Sequence, residues 1–241
     1  MMINKKIRVK FYPFYIYIFF KIHGGNNLNY REIYNVKKYE KEFNKINFDE
    51  YKLVKAAETI YIKKFIYEHK IDSRYTIIDI KSHALDIRKV SLYYNNERHA
   101  NNCPAMFEFH NNKLTQVQYW INGKHYNLID APAEIDFDIT GKLKTLRFNN
   151  KNELLSRING PAEIYFYDGY YNEYYFINGV YYTKIKYYDL IDKVKNKKIY
   201  CGKYKKENLI IIKEIAEYYQ MTELINKIDS KLLIEIMAEK Y

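Results

Sequence analysis

The chain has 241 residues, a length that suits one domain or two small ones. Lys and Arg outnumber Asp and Glu by 40 to 29, and this surplus attracts anions such as nucleic acid or acidic lipid without choosing between them. The 29 Tyr and 13 Phe favour sheet faces. The two widely separated cysteines, Cys103 and Cys201, indicate neither a disulfide framework nor a zinc finger and favour a reducing compartment, with a single bridge between them as the alternative.

Residues 1–30 form a basic and aromatic leader. An apolar run at 11–20 follows four cationic residues, Lys5, Lys6, Arg8 and Lys10. The run is too short to span a bilayer as a helix, which needs about 20 residues. It resembles a signal peptide in charge and length but has no small-residue cleavage site. Signal, membrane anchor and frayed leader remain alternatives to the extended, buried strand that Pro13 and the β-forming residues favour.

The next region, residues 31–90, is predicted to be helical. Between Phe48 and His69, apolar residues recur at helical spacing, at Tyr51, Val54, Ala57, Ile60, Tyr61 and Phe65. This pattern predicts one amphipathic helix.

Residues 91–192 contain a repeat. Of the four prolines, Pro104, Pro132 and Pro161 are each followed by Ala and lie 28 and 29 residues apart. The residues after each proline alternate between apolar and mostly polar, which is the period of a strand with one buried face. The apolar set predicted to share that face is Ala105, Phe107, Phe109, Ala133, Ile135, Phe137, Ala162, Ile164 and Phe166.

Turn residues follow each of these strands, as Asn111-Asn112, Thr140-Gly141 and Asp168-Gly169. Such residues tolerate the positive φ of tight hairpins, so a return strand is predicted after each. The return strands are Leu114–Ile121, Leu143–Phe148 and Tyr170–Ile177. A second turn is predicted after each of them, at Asn122-Gly123, Asn149-Asn150 and Asn178-Gly179.

Residues 193–241 are predicted to be a linker and a helical cap. The linker is Lys193–Lys206, and three short helices follow, Leu209–Tyr219, Glu223–Ile228 and Lys231–Glu239, with Thr222 and Ser230 as N-caps. Repeat arrays need atypical ends that protect the sheet edge, which favours a capping role. A partner-binding or dimerising role is the alternative.

The repeat resembles the Pro-Ala repeats, distantly related to MORN repeats, of many proteins of large DNA viruses of amoebae and of some bacterial proteins. The matching segments are 159–164, 130–135, 119–125 and 175–179, and they lie within well under half of the chain. Cys103 and Ala131 stand where the family has Gly, and no Pro-Ala follows Gly179. The resemblance implies a curled sheet used as an interaction surface, without any assigned activity.

No catalytic, cofactor or metal site is predicted. Walker A, GxGxxG, GxSxG, HExxH and paired CxxC motifs do not occur in the sequence. His99 and Cys103 are candidate metal ligands in a predicted turn, but two ligands are too few to form a metal site. Glu134, Asp136 and Asp138 are predicted to form an exposed polar row, which gives no unequal burial to separate their pKa values.

The tyrosine-rich stretch Tyr165–Tyr188, with Lys184 and Lys186, could stack nucleic-acid bases, but sheet packing is the preferred interpretation.

The predicted fold class is α+β, with a central antiparallel β-hairpin repeat sheet between an N-terminal helical segment and a C-terminal helical cap. The predicted function is that of a non-enzymatic interaction or scaffold protein of viral origin that binds a protein partner, without an inferred small-molecule substrate. The alternative is a basic protein that binds a membrane surface or nucleic acid. The predicted location is host cytoplasm or virion, with a membrane or secretory route through the leader as the alternative.

Overall fold

The computed structural model describes residues 30–238 except 102, 129, 197 and 200–203. The chain begins with helices α1 (Tyr30–Ile33) and α2 (Val36–Phe43) and a 3-10 turn, Phe48–Glu50. Strands follow as β1 (Tyr51–Glu58), β2 (Ile62–His69), β3 (Tyr75–Ser82), β4 (Ile87–Tyr94), β5 (Glu97–Arg98), β6 (Met106–His110), β7 (Lys113–Gln118), β8 (Glu134–Phe137), β9 (Leu143–Arg147), β10 (Glu163–Phe166), β11 (Tyr171–Ile177) and β12 (Val180–Tyr182). Helices α3 (Lys184–Lys195), α4 (Lys206–Tyr218) and α5 (Thr222–Ala238) complete the described chain.

The strands form one antiparallel sheet of twelve strands. Neighbours in sequence are neighbours in the sheet from β1 to β12, except that β5 pairs only with β4 and β4 continues to β6. Each hairpin is therefore a local contact, and the sheet grows by simple addition of hairpins. The α+β prediction, with a hairpin sheet between helical segments, is confirmed.

The alanine of each Pro-Ala pair joins three consecutive chain segments. The N–H groups of Ala105, Ala133 and Ala162 donate to Gln118, Arg147 and Tyr174 on the following strands, at 2.7–2.9 Å. Their carbonyls accept from Leu92, Tyr119 and Phe148 on the preceding segments, each at 2.8 Å. Because proline has no N–H, it stands just before the strand, where no ladder bond is lost.

The predicted inward face is confirmed. Ala105, Phe107, Ala133, Ile135, Phe137, Ala162 and Ile164 are buried, and Phe109 and Phe166 pack against the same cluster. The turn predictions hold where φ is positive, as at Asn111, Asn122, Gly141, Gly169 and Asn178. Asn149-Asn150 is instead part of a longer loop, in which Asn149 bridges to Leu155 and Glu153 takes the positive φ of 64°.

Both helical segments cover the same face of the sheet. Tyr39 and Phe43 of α2 pack on the apolar residues of β6 to β10. Tyr187 and Ile191 of α3 pack on Tyr175 and Ile177 of β11, together with the buried side of α4 and with Ile228 of α5. The two apolar clusters therefore lie on one side of the sheet, here called the covered face.

The helix predicted over Phe48–His69 is wrong, because this segment forms the 3-10 turn, β1 and β2. β2 pairs along its length with both β1 and β3, and this pairing overrides the local helical spacing. β1 is an edge strand with nearly every residue exposed, so it carries no alternation that would indicate a strand. The sheet thus begins at residue 51, and the expected boundary at residue 91 falls inside β4.

The C-terminal prediction is correct in type and wrong in detail. The expected helices Glu223–Ile228 and Lys231–Glu239 are one helix, α5, and the Ser230 hydroxyl donates to the Asn226 carbonyl inside it rather than capping a helix. Helix α3 begins at Lys184, with the Thr183 hydroxyl as its N-cap acceptor, and extends into the predicted linker. The leader prediction for residues 11–20 and the location of Cys201 lie outside the described residues.

Candidate functional site

The side of the sheet opposite the helices carries mostly polar side chains, with Met106 among them, and is here called the polar face. Alternation along β6 to β10 places these side chains on it: Glu108, Gln116, Gln118, Glu134, Asp136, Thr145, Arg147, Glu163 and Tyr165. Along each strand these residues alternate with the residues that fill the apolar core. The same alternation therefore builds the core and this surface.

Arg147 is the centre of the polar face. Its guanidinium contacts Glu134, lies 2.8 Å from Glu163 (Nε to Oε1) and 3.5 Å from Asp136 (Nη1 to Oδ2). These three carboxylates come from β8 and β10, the strands on either side of β9. One cation thus links three adjacent strands. The side chains of the three acidic residues are 8–17% exposed, so little water screens their contacts with Arg147.

Two glutamines of β7 extend this network. The Gln116 amide donates to Asp136 at 2.8 Å and the Gln118 amide donates to Glu134 at 2.7 Å. These bonds run between residues paired directly across β7 and β8. They hold the carboxylates in place, so the face presents a preformed pattern of donors and acceptors.

A stack of rings borders the polar face at its loop end. The Arg98 guanidinium lies 4.5 Å from the centre of the Trp120 ring, and the His125 ring stacks on Trp120 at 4.8 Å between centroids. The Trp120 indole donates to Gln118, and His125 Nε2 lies 3.9 Å from Glu134. The stack is thereby continuous with the carboxylate network.

Burial shifts the protonation of two groups in the network. It raises the pKa of Asp136, although the hydrogen bond from Gln116 opposes the change. Burial lowers the pKa of His125, and the Glu134 carboxylate opposes this change. At neutral pH His125 is therefore an uncharged ring, suited to stacking and hydrogen bonding.

The expectation of an exposed acidic row at Glu134, Asp136 and Asp138 is wrong. Glu134 is 6% exposed and ion-paired, and Asp136 is half-buried. Asp138 does lie in the exposed turn, where it accepts bonds from Thr140 and Lys142. Glu134 and Asp136 therefore belong to the ion-pair and hydrogen-bond network around Arg147, and Asp138 belongs to the turn.

The sequence pattern assigns no functional role to Arg147, Trp120 or His125. A β-bulge between Asp136 and Phe137 shifts the register of the β8–β9 hairpin and puts Arg147 opposite Glu134, so the turn at Thr140-Gly141 alone does not give this pair. The ring stack was not recoverable, because it needs the loop after β7 to fold back over the strands.

His99, which lies near Cys103 in the sequence, has hydrogen-bond partners within the fold at both ring nitrogens. The two ring nitrogens of His99 contact the Asn101 side chain and the Asn122 backbone N–H, each at 3.0 Å. Burial raises the pKa of the Cys103 thiol to about 11. Within the described ranges, no group of three or more His, Cys, Asp or Glu side chains could hold a metal ion.

The tyrosine-rich stretch is divided between packing and exposure. Tyr175 and Tyr187 are buried against each other, and Lys184 pairs with Glu173 at 2.9 Å. Tyr170 and Tyr181 are about 60% exposed, on the β10–β11 turn and on β12 respectively. Much of the stretch thus serves the core beneath α3.

Comparisons of the chain with protein-family models, with curated proteins and with solved structures returned no match. None of the helices in the described part of the chain is long and apolar enough to cross a membrane.

Proposed function

We propose that this chain is a non-enzymatic repeat protein that presents the polar face to a protein partner. The observation that carries the proposal is the Arg147 network, in which charged and amide groups of β7 to β10 are held in register on the face away from the helices. Ordered charges favour specific recognition, because the partner meets a pattern that needs no rearrangement.

The arrangement suits recognition better than proton transfer. Glu134 and Glu163 bind Arg147, and Asp136 accepts a bond from Gln116, so these acids are engaged within the fold. Trp120 and Tyr165 add aromatic surface beside them, and aromatic residues and Arg are enriched at the centres of protein interfaces. The resemblance to MORN-type repeats of large DNA viruses of amoebae supports the same role and a viral origin.

A charge-swap variant tests this role while preserving the fold. Lys89 and Glu108 pair across β4 and β6 at 2.7 Å on the polar face, so the double variant K89E/E108K keeps the ion pair and inverts the surface pattern. The matched control, K142D/D168K, inverts an exposed pair on two hairpin tips. Tagged full-length proteins are compared in pull-downs from host-cell lysate at low and physiological salt.

We expect a protein band, still present at physiological salt, that K89E/E108K loses and K142D/D168K retains. A band that survives both swaps would contradict a role for the polar face. Thermal melting of both variants confirms that the comparison is between folded proteins.

A second candidate function is binding to acidic lipid or nucleic acid. Residues 1–29 contain Lys5, Lys6, Arg8, Lys10 and Lys21 and no acidic residue, so they supply +5 of the net +11. Full-length protein and a variant with the first four cations changed to Gln are tested on acidic liposomes and single-stranded DNA. Retention that falls with salt and is lost in the variant would support this candidate; salt-resistant retention would contradict it.

A further inference from the structure

The polar face carries an arginine, Arg98, that has no anionic partner in the described part of the chain. Arg98 on β5 pairs directly with Tyr93 on β4, so the two side chains point to the same side of the sheet. Tyr93 follows Lys89 by four positions on β4 and therefore shares the polar face with it. The Arg98 carbonyl accepts from the Gly123 N–H at 3.1 Å. The sheet and the loop after β7 thus fix the position of Arg98.

The other arginines in the described ranges are bound to oxygen atoms of the fold. Each reaches a carboxylate or a carbonyl oxygen at 3.0 Å or less: Arg31 with Tyr167, Arg74 with Asp72, Arg88 with Asp79, Arg147 with Glu163 and Arg157 with Asp130.

The donors of the Arg98 guanidinium are poorly satisfied. Its Nη2 reaches only the Tyr93 hydroxyl, at 3.5 Å, and its Nε–H is buried without a hydrogen-bond partner. A buried donor without an acceptor is costly in free energy, and this cost is greater for a charged group. An acceptor that comes from outside the chain would therefore bind favourably here.

Aromatic rings hold the Arg98 guanidinium in place. Its central carbon lies 4.5 Å from the centre of the Trp120 ring and 5.8 Å from the centre of the Tyr93 ring. Trp120 is itself fixed, because its indole donates to Gln118 at 3.0 Å and the His125 ring stacks on it. Rings that stack on a guanidinium leave the N–H groups at its edge free, and this planar fork matches the two oxygens of a carboxylate.

The acidic side chains on β6 to β10 of the polar face are already engaged. Glu108 binds Lys89 at 2.7 Å, and the other three bind Arg147: Glu134, Asp136 and Glu163. Any of them would have to give up its present cation to reach Arg98. The missing anion therefore has to come from a partner, as charge complementarity between two docked surfaces requires.

We propose that Arg98 binds a carboxylate of the partner protein, from an aspartate or glutamate side chain that the partner presents beside Trp120. This inference rests on the function proposed above, because Arg98 lies on the same polar face. It deepens that function by naming the chemical group that the face recognises.

The test uses a phage-displayed library of random dodecapeptides panned on the full-length protein. Enriched peptides are resynthesised with each acidic residue either kept or changed to its amide, and their binding to wild type, Arg98→Gln and Arg74→Gln is measured by fluorescence anisotropy. Trp120 is the single tryptophan of the chain, so its intrinsic fluorescence reports on binding beside Arg98. Thermal melting verifies that both variants are folded.

The variant Arg74→Gln is the matched control. The Arg74 guanidinium also lies near a ring, 5.4 Å from the centre of Tyr94, but it binds Asp72 at 2.7 Å. Each substitution removes one positive charge and one cation–ring contact from a chain with a net charge of +11. A general attraction of acidic peptides to a basic protein would therefore weaken equally in both variants.

We expect the enriched peptides to share one Asp or Glu, to change the Trp120 fluorescence and to bind Arg98→Gln at least about ten-fold more weakly than wild type. Changing that acidic residue to its amide should weaken binding to wild type by a similar factor and binding to Arg98→Gln only slightly, because both changes remove the same contact. Binding to Arg74→Gln should equal binding to wild type.

Four results would each overturn the assignment of Arg98: no enrichment on wild type, enriched peptides without a shared acid, equal loss of binding in both arginine variants, or an acid whose change matters equally for wild type and Arg98→Gln. The variant K89E/E108K separates these results from failure of the proposed function. Peptides that K89E/E108K loses and Arg98→Gln retains would overturn the role of Arg98 while supporting the polar face. Peptides that bind both variants like wild type would overturn both proposals.

Discussion

Replacing Arg147 with Gln should destabilise the fold strongly at neutral pH. The change leaves Glu134, Asp136 and Glu163 at 8%, 17% and 14% exposure without their shared cation. Breaking a buried ion pair costs about 3–5 kcal/mol, and because the Arg147 side chain is itself 33% exposed, we expect the lower end, about 3 kcal/mol. For a chain of this size that lowers Tm by about 6–12 °C.

The measurement is thermal and urea unfolding of wild type and Arg147→Gln at pH 7 and pH 4. Burial raises the pKa of Asp136, so protonation of this carboxyl removes part of the uncompensated negative charge, and the difference should shrink at pH 4. Lys142→Gln is the control, because it breaks an exposed pair, 58% and 89% exposed, that is worth about 0–1 kcal/mol. An equal loss in both variants, or a loss in Arg147→Gln that does not change with pH, would refute the central role of Arg147.

Three further changes test burial, packing and the face assignment. Burial raises the pKa of Asp136, so the native state binds a proton at this carboxyl more tightly than the unfolded state does. The free energy of unfolding therefore falls as the pH rises from the ordinary pKa of Asp through the raised pKa of the folded state. Asp136→Asn should therefore flatten urea-measured stability over that window and cost less than about 1 kcal/mol at pH 7; a larger loss would mean that its charge is stabilising. Ile164→Asp puts a charge on the fully buried covered face and should unfold the sheet by circular dichroism, whereas Val180→Asp, at a site 45% exposed, should leave it folded. Ala133→Leu overfills a site with 0% exposure and should cost about 1–3 kcal/mol in urea unfolding, whereas the exposed Ala84→Leu should change little; equal values would contradict close packing at the Pro-Ala unit.

The repeat array was predictable because its interactions are local. Each hairpin pairs residues that are close in sequence, and each is bounded by turn residues such as Asn111 and Gly169 that adopt positive φ. The alternation after Pro132 and Pro161 correctly placed Ile135 and Ile164 in the core. A period of two and a turn signal are sufficient when each strand has one buried face.

The first hairpins were not predictable on that basis. β1 is exposed on both faces, and β2 is mostly half-buried, so neither shows a clean alternation. Their strand state depends on the pairing of β2 with β3, at positions such as Ile66 opposite Ile78. A single sequence shows spacing but not pairing between strands.

The sequence by itself determined the α+β class, the inward residues of the Pro-Ala strands and the positions of most repeat turns, because these follow from alternation and backbone φ preferences between near neighbours. Only the tertiary structure decided which side of the sheet the helices cover, which acids Arg147 holds, and that α4 contacts the repeat loops. Those features join residues such as Ser156 and Glu214, 58 positions apart, and depend on where folded elements pack rather than on any local pattern.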